Sequence, residues 1–237
     1  MLIQLFNLNY YDLLDGITAT LIVIFSGLFA LIVVWKAIKL DAKLLKYGAL
    51  MGLFAGLLWL GPCSDFLCKI FLNHNIAPVE LYGILSYMWV APSLIMAMYI
   101  GTELMIPNKK KIIIVFYTIL GIIFELFLFL DTKNSFEFGR SSSGELIDSK
   151  FVYGHPTFIL IAFFLISILV INGFGAMRRS FQTTGMIRKR FRLMSITFFL
   201  FVFVGALDAL LSPGPILFIS RMGMIVCAFL LYFALKP

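Results

Sequence analysis

Seven apolar runs, near residues 17–35, 47–72, 81–100, 112–130, 157–176, 193–211 and 215–235, dominate this chain of 237 residues. Each reaches the length of about 20 residues that a helix needs to cross a hydrocarbon core. Inside a bilayer every backbone N–H and C=O must be satisfied within the protein, which leaves only helices or closed barrels. A barrel would show segments of about ten residues with alternating polarity, whereas these runs are continuously apolar. A soluble domain does not fit 62% hydrophobic and 13% charged residues either. The expected fold is therefore all-α, a polytopic membrane protein made of one bundle of seven transmembrane helices over residues 17–237.

The opening MLIQLFNLNYYDLLDG has no basic stretch and carries Asp12 and Asp15, so the first span is expected to remain as a helix and not to be removed as a leader. Leu2, Phe6, Tyr10 and Leu13 or Leu14 recur at helical spacing, and residues 1–16 read as a short amphipathic segment in the membrane interface. Fourteen of the 19 Lys and Arg fall on one side of the bundle: Lys36, Lys39, Lys43 and Lys46, Lys109 to Lys111, Arg178, Arg179, Arg188, Lys189, Arg190, Arg192 and Lys236. Basic loops stay in the cytoplasm, so the N-terminus is expected outside and the C-terminus inside, in a multi-pass protein of the cell membrane.

That basic side accounts for the net charge of +7. Anionic lipid headgroups lie within a Debye length of it and suffice as partners; nucleic acid is not needed to explain MRRSFQTTGMIRKRFR, and a cytoplasmic protein partner is the alternative. Three cysteines allow no full disulfide framework. Cys63 and Cys68 would stand about 140° apart on an unbroken helix, and Cys227 reads as a small buried hydrophobe.

No internal boundary divides the bundle, and spans 1–3 do not repeat in spans 5–7 as an inverted-repeat transporter requires. The one long loop, Asp131 to Pro156, is rich in Ser, Gly and charge and reads as a mobile cover or an interaction surface. Only Lys236 and Pro237 follow the last run, so no kinase, nucleotide-binding or zinc domain is expected on this chain. Gly48, Gly52 and Gly56 recur every four residues and give a flat strip for close helix packing, within the bundle or across a homodimer. Pro62 and Pro92 should kink their helices.

Several chemistries lack their residues. A retinal protein needs a lysine within the final span, where none occurs before Lys236. A seven-helix zinc hydrolase needs several ligands inside the membrane, but His74 and His155 are the only histidines and both fall in loops. The SSSG at 141–144 is in a polar loop, unsuited to an intramembrane serine protease, and phosphate-binding fingerprints are missing. No enzyme activity and no cofactor are expected.

The polar residues left inside the spans share a depth. Asp208 and Arg221 flank the turn between the last two runs, each roughly 7–9 Å inside it, and an antiparallel ion pair would offset the cost of burying either. Glu125 lies about 9 Å before Asp131, and Asp65 about seven residues before the end of its run. Asp65, Glu125, Asp208 and Arg221 are thus expected to meet as a ligand or proton site, with Trp59, Tyr87 and Trp89 as candidate aromatic lining. Lys69, four residues after Asp65, pairs with it locally or reaches the interface, and Glu103 pairs with Lys109–Lys111. Three carboxylates against one guanidinium leave an excess of negative charge that calls for a proton, water or a cation.

The segments GTELMIPNKKKIIIVFYTILGIIFEL, RLMSITFFLFVFVGALDALL and LFISRMGMIVCAFLLYFAL resemble a group of uncharacterised archaeal seven-helix integral membrane proteins. The likeness runs over spans 2 to 7 through Thr-Glu-Leu before a basic loop, Phe-Glu in span 4, Leu-Asp in span 6 and the arginine of span 7. More loosely the chain is similar to the seven-helix sensor regions that precede histidine kinases. The leading expectation is a non-enzymatic sensor or receptor with a polar site in the outer half, in which a ligand or proton shifts spans 4, 6 and 7 and a partner reads loop 177–192. Two alternatives stand: a small-solute or proton-coupled transporter, which would need a polar path past Ser167 and Asn172, and a structural or assembly subunit.

Overall fold

The computed structural model describes residues 8–140, 146–210 and 215–236. Among them seven helices are long and apolar enough to cross a membrane, and the chain is a multi-pass membrane protein. Span 1 is Tyr10–Lys39, span 2 Lys43–Leu72, span 3 Glu80–Met105, span 4 Pro107–Leu130, span 5 Pro156–Gln182, span 6 Gly185–Leu210 and span 7 Pro215–Leu235. Tyr10 to Gly16 continue span 1 and do not form a separate interfacial element; residues 1–7, and with them Leu2 and Phe6, lie outside the described residues.

The two prolines act one turn ahead of themselves. Span 2 tightens into a 3-10 turn at Leu57–Trp59 before resuming at Leu60–Leu72, which contains Pro62. Span 3 is interrupted between Glu80–Tyr87 and Val90–Met105, just before Pro92. Each ring removes a backbone donor and clashes with the carbonyl a turn earlier, so the helix loosens there.

The core runs along the bundle axis through Leu94, Met98, Phe124, Leu128, Phe164, Ile168 and Phe198. Midway, span 5 widens into a π turn at Leu169–Phe174. Its buried Asn172 donates from Nδ2 to the Ala97 carbonyl at 3.0 Å, in the space left because Gly101 has no Cβ. Ser195 of span 6 donates to the Gly173 carbonyl at 2.9 Å. A widened turn frees backbone carbonyls, and here a neighbouring hydroxyl takes one of them.

The expected glycine strip is divided between neighbours. Gly48 approaches Leu235 and Leu231 of span 7 and Gly56 approaches Ser26 of span 1, while Gly52 has nothing within 4 Å of where a Cβ would be. Cys63, Cys68 and Cys227 are all free thiols, since the helix carrying the first two is continuous between them.

One end of the bundle carries the basic residues. There Glu103 pairs with Lys110, as its position before the basic loop predicts, Lys110 lies 3.7 Å over the Tyr99 ring, and Tyr99 stacks on Tyr47 at 3.9 Å. The other end carries the long loop between spans 4 and 5, which holds a short two-stranded hairpin on an otherwise helical bundle. After a short helix at Thr132–Ser135, strand β1, Phe136–Arg140, pairs antiparallel with strand β2, Ile147–Phe151. Phe136 and Phe151 are cross-strand partners, and both rings pack on Tyr87 of span 3, at 5.0 and 4.6 Å. Alternating side chains point to opposite faces of a strand, so the aromatic face docks and seats the hairpin on the bundle. The SSSG stretch at 141–144 lies outside the described residues.

Candidate functional site

A cavity of about 320 Å³ opens beneath the hairpin. Spans 1, 2, 3, 5, 6 and 7 and strand β2 all contribute to its wall. Its size is at the lower end of the range of about 300–1,000 Å³ in which ligand pockets usually fall.

The floor is built around Arg221, whose side chain is only 4% exposed. Its Nη2 forms an ion pair with Asp15 of span 1 at 2.7 Å, and its Nη1 donates to the Asp15 carbonyl at 2.8 Å and to Thr18 Oγ1 at 2.7 Å. Asp208 of span 6 is the second carboxylate, 3.5 Å from Arg221 Nε. The indole N–H of Trp59 donates to the same Asp208 oxygen at 3.4 Å. Asp208 and Arg221 therefore pair as their common depth predicts, but the tighter partner of Arg221 is Asp15. Residues 211–214, between spans 6 and 7, lie outside the described residues.

Asp15 was hidden in the sequence because the first apolar run begins at residue 17. The helix starts two turns earlier, and its buried face, Asp12, Gly16, Ala19, Ile22, Ser26 and Ala30, carries both acids inward at helical spacing. Small residues every three or four positions continuing back through Asp12 and Gly16 were the available sign that the helix extends this far.

Asp65 and Glu125 do not join this floor. Asp65 is fully buried, but its carboxylate accepts from the backbone N–H of Ile76 at 2.8 Å, from that of Ile147 at 2.9 Å and from Asn75 Nδ2 at 3.2 Å. It is a clamp that ties the span 2–3 loop and strand β2 to the end of span 2. Glu125 has the right depth but faces another direction. Both of its carboxylate oxygens are buried without a hydrogen-bond partner, and it does not line the cavity. The two tryptophans part company as well: Trp59 lines the cavity, whereas Trp89 stacks on Phe54 at 6.0 Å, away from it.

The hairpin supplies what the sequence reading did not assign. Ile147, Asp148, Ser149, Lys150 and Phe151 form the roof of the cavity. Tyr87 hydrogen-bonds Ser149, and the buried Tyr82 lies within electrostatic reach of both Asp15 and Asp148. Burial pushes the Asp148 carboxyl above its ordinary range, with neighbouring Lys150 pulling the other way. Behind these polar groups the wall is apolar, with Val90, Leu94, Phe164, Ile168 and Phe201 at its deep end.

Among the described residues no group of three His, Cys, Asp or Glu is placed to hold a metal ion. No protein-family model matches this chain, and no curated protein matches its sequence. What the fold and site define is a class: a seven-helix membrane protein with a capped, partly charged cavity at one end of the bundle.

Proposed function

We propose that this chain is a non-enzymatic sensor or receptor of the cell membrane, whose hairpin-capped cavity binds a small molecule and whose basic end reports the occupancy. The observation that carries this reading is the cavity itself, a cleft of ligand size with converging polar groups at one end and apolar walls at the other. The Lys and Arg asymmetry supports a cytoplasmic basic end and an external hairpin. The looser resemblance to the seven-helix sensor regions that precede histidine kinases favours the same reading, with anionic lipids and a cytoplasmic protein as partners of the basic end.

A transporter reading has less support. Of the polar groups toward the basic end, Ser167 and the Nδ2 of Asn172 donate to the carbonyls of Phe163 and Ala97, and the buried Oδ1 of Asn172 is the one acceptor left among them. A sensor needs an occupant that favours one of two arrangements, and the floor offers the element to bias, because spans 1, 6 and 7 meet there through charges. The test places spin labels at exposed Lys36 and Lys189 in a cysteine-free variant. Gly205→Trp fills the cavity from span 6 and stands in for an occupant. A shift of about 1–2 Å in the label distance is expected, the scale of helix movements in switching proteins. An unchanged distance distribution in a folded Gly205→Trp protein would refute the sensor reading.

A further inference from the structure

Granting the cavity as a binding site, as proposed above, we propose that its occupant is a single-chain amphiphile with a protonated amine, taken up from the bilayer between spans 5 and 6. Three observations lead to this: the pairing of Arg221 with Asp15, the aromatic surround of Asp208, and the unequal exposure of the cavity walls.

Arg221 is already engaged. Its two terminal nitrogens meet Asp15 and Thr18 at 2.7–2.8 Å, so one carboxylate already holds its charge, while Nε is buried without a hydrogen-bond partner 3.5 Å from Asp208. Asp208 is held loosely, by contacts of 3.5 Å from Arg221 and 3.4 Å from Trp59, at or beyond the outer limit of good hydrogen bonds. Its side chain keeps 26% exposure, on the cavity side. Asp148 faces the same space from the roof. Of the cavity-lining charges, Asp15, Asp148 and Asp208 stand against Arg221 and the solvent-exposed Lys150. An occupant bringing positive charge and N–H donors to Asp208 and Asp148 offsets that excess; a carboxylate would add to it. Trp59, Tyr82 and Tyr87 border the same polar end, and aromatic rings are favourable neighbours for ammonium groups.

The walls show how such a molecule would arrive. On the side of spans 2 and 3 the lining residues Trp59, Tyr82, Ser86, Val90 and Leu94 are buried and Leu58, Pro62 and Tyr87 are partly exposed. On the side of spans 5 and 6 Phe164, Ile168 and Phe201 are buried, but Phe158, Ile161, Leu165, Ala206 and Ala209 are partly exposed and Leu210 is 60% exposed. Toward the basic end these two spans close up, through the Ser195–Gly173 hydrogen bond and the contact of Phe174 with Phe199 at 4.9 Å. The cavity wall formed by these two spans is therefore more exposed toward the hairpin end, on helices apolar enough to face lipid. That wall is lined by apolar side chains and leads to Asp208, which suits an alkyl chain with a cationic head.

The experiment uses the full chain in phosphatidylcholine nanodiscs, with Trp35→Phe and Trp89→Phe leaving Trp59 as the fluorophore. Dodecylamine, dodecanol and dodecanoate are titrated at pH 7. Dodecylamine is expected to change Trp59 fluorescence saturably at a concentration at least tenfold lower than either of the others. Asp208→Asn should abolish this preference. Asp148→Asn, on the hairpin and outside the spans, should weaken amine binding severalfold without burdening the bundle, and Gly205→Phe, which fills the cavity without adding a second tryptophan, should remove the saturable signal. Dodecanoate binding as tightly as the amine would overturn the assignment of the amine while leaving the cavity as a site. No saturable response to any of the three would overturn the proposal, and the spin-label distances would then judge the sensor reading separately.

Discussion

Replacing Arg221 with methionine removes the charge at the centre of the floor while keeping a side chain of comparable reach. Three short contacts disappear, to the Asp15 carboxylate, the Asp15 carbonyl and Thr18, all at 2.7–2.8 Å. Asp15, 9% exposed, is left inside the bundle without a counter-ion. Removing one partner of a buried ion pair costs about 3–5 kcal/mol, because the other charge stays buried and uncompensated. At 1.4 kcal/mol per tenfold, that is roughly a hundredfold to a few thousandfold in the folding equilibrium. The geometry also ranks the two acids. Asp15→Asn should approach the same cost, whereas Asp208→Asn, with its one 3.5 Å contact and 26% exposure, should cost about 1 kcal/mol or less. Arg221→Met combined with Asp15→Asn should recover much of the loss, since no isolated charge remains. Unfolding by sodium dodecyl sulfate titration in bicelles, followed by circular dichroism, measures each step. A cost below about 1 kcal/mol for Arg221→Met, or equal costs for the two aspartates, would refute the argument that span 1 is the main anchor.

Three further outcomes follow from single contacts. The raised pKa of Asp148, ordinarily 3.8, means that the docked hairpin holds its proton more tightly than a released one. Docking is then strongest below the ordinary value and weakens as pH rises through the raised one; amide exchange at Ile147 and Ser149, corrected for intrinsic rate, should accelerate over that window in the wild type and not in Asp148→Asn. Asp65→Asn weakens two hydrogen bonds to a charged acceptor, each of the kind worth about 1.5–3 kcal/mol; exchange at Ile76 and Ile147 should rise at least tenfold, and unchanged protection would contradict the clamp. Gly56→Ala forces a methyl into the Ser26 side chain and should cost about 1–3 kcal/mol, whereas Gly52→Ala, with nothing within 4 Å, should be neutral or stabilising by up to about 1 kcal/mol; thermal midpoints that fail to separate the two would refute the reading of a divided strip.

Depth in the membrane was legible from sequence, and direction was not. Counting 1.5 Å per residue from the polar stretch between the last two runs brought Asp208 and Arg221 to one layer, because the count is short. The same count put Asp65 and Glu125 in that layer too, yet nothing in a one-dimensional distance says which way a side chain faces. Asp65 turned out to serve backbone N–H groups of Ile76 and Ile147, partners that a search for charged side chains does not consider. The hairpin was missed for a related reason. Its alternation, Phe136, Glu137, Phe138 on one strand and Asp148, Ser149, Lys150, Phe151 on the other, is short beside seven apolar runs, and its stability comes from docking on Tyr87, a contact between distant parts of the chain.

The unequal grip on Arg221 has a mechanical consequence for the proposed sensor. Span 7 is fixed to span 1 by the Arg221–Asp15 and Arg221–Thr18 contacts whatever happens at Asp208. Span 6 touches span 7 most closely at Val204, where Gly223 leaves no Cβ and Ser220 donates to the Val204 carbonyl at 3.1 Å. Asp208 sits one turn to the hairpin side of that contact, about 6 Å away along the helix; Lys189 sits about 22 Å away on the other side. If an ammonium group pulls Asp208 away from Arg221, a rigid span 6 rocking on Val204 multiplies the movement between three- and fourfold at the basic end. A displacement of about 0.5 Å at the site then becomes about 2 Å among Arg188, Lys189, Arg190 and Arg192, enough to alter how that row meets a partner or the lipid surface. Span 4, which carries Glu125, has no part in this lever, so labels on spans 1 and 4 should keep their separation while those on spans 1 and 6 do not.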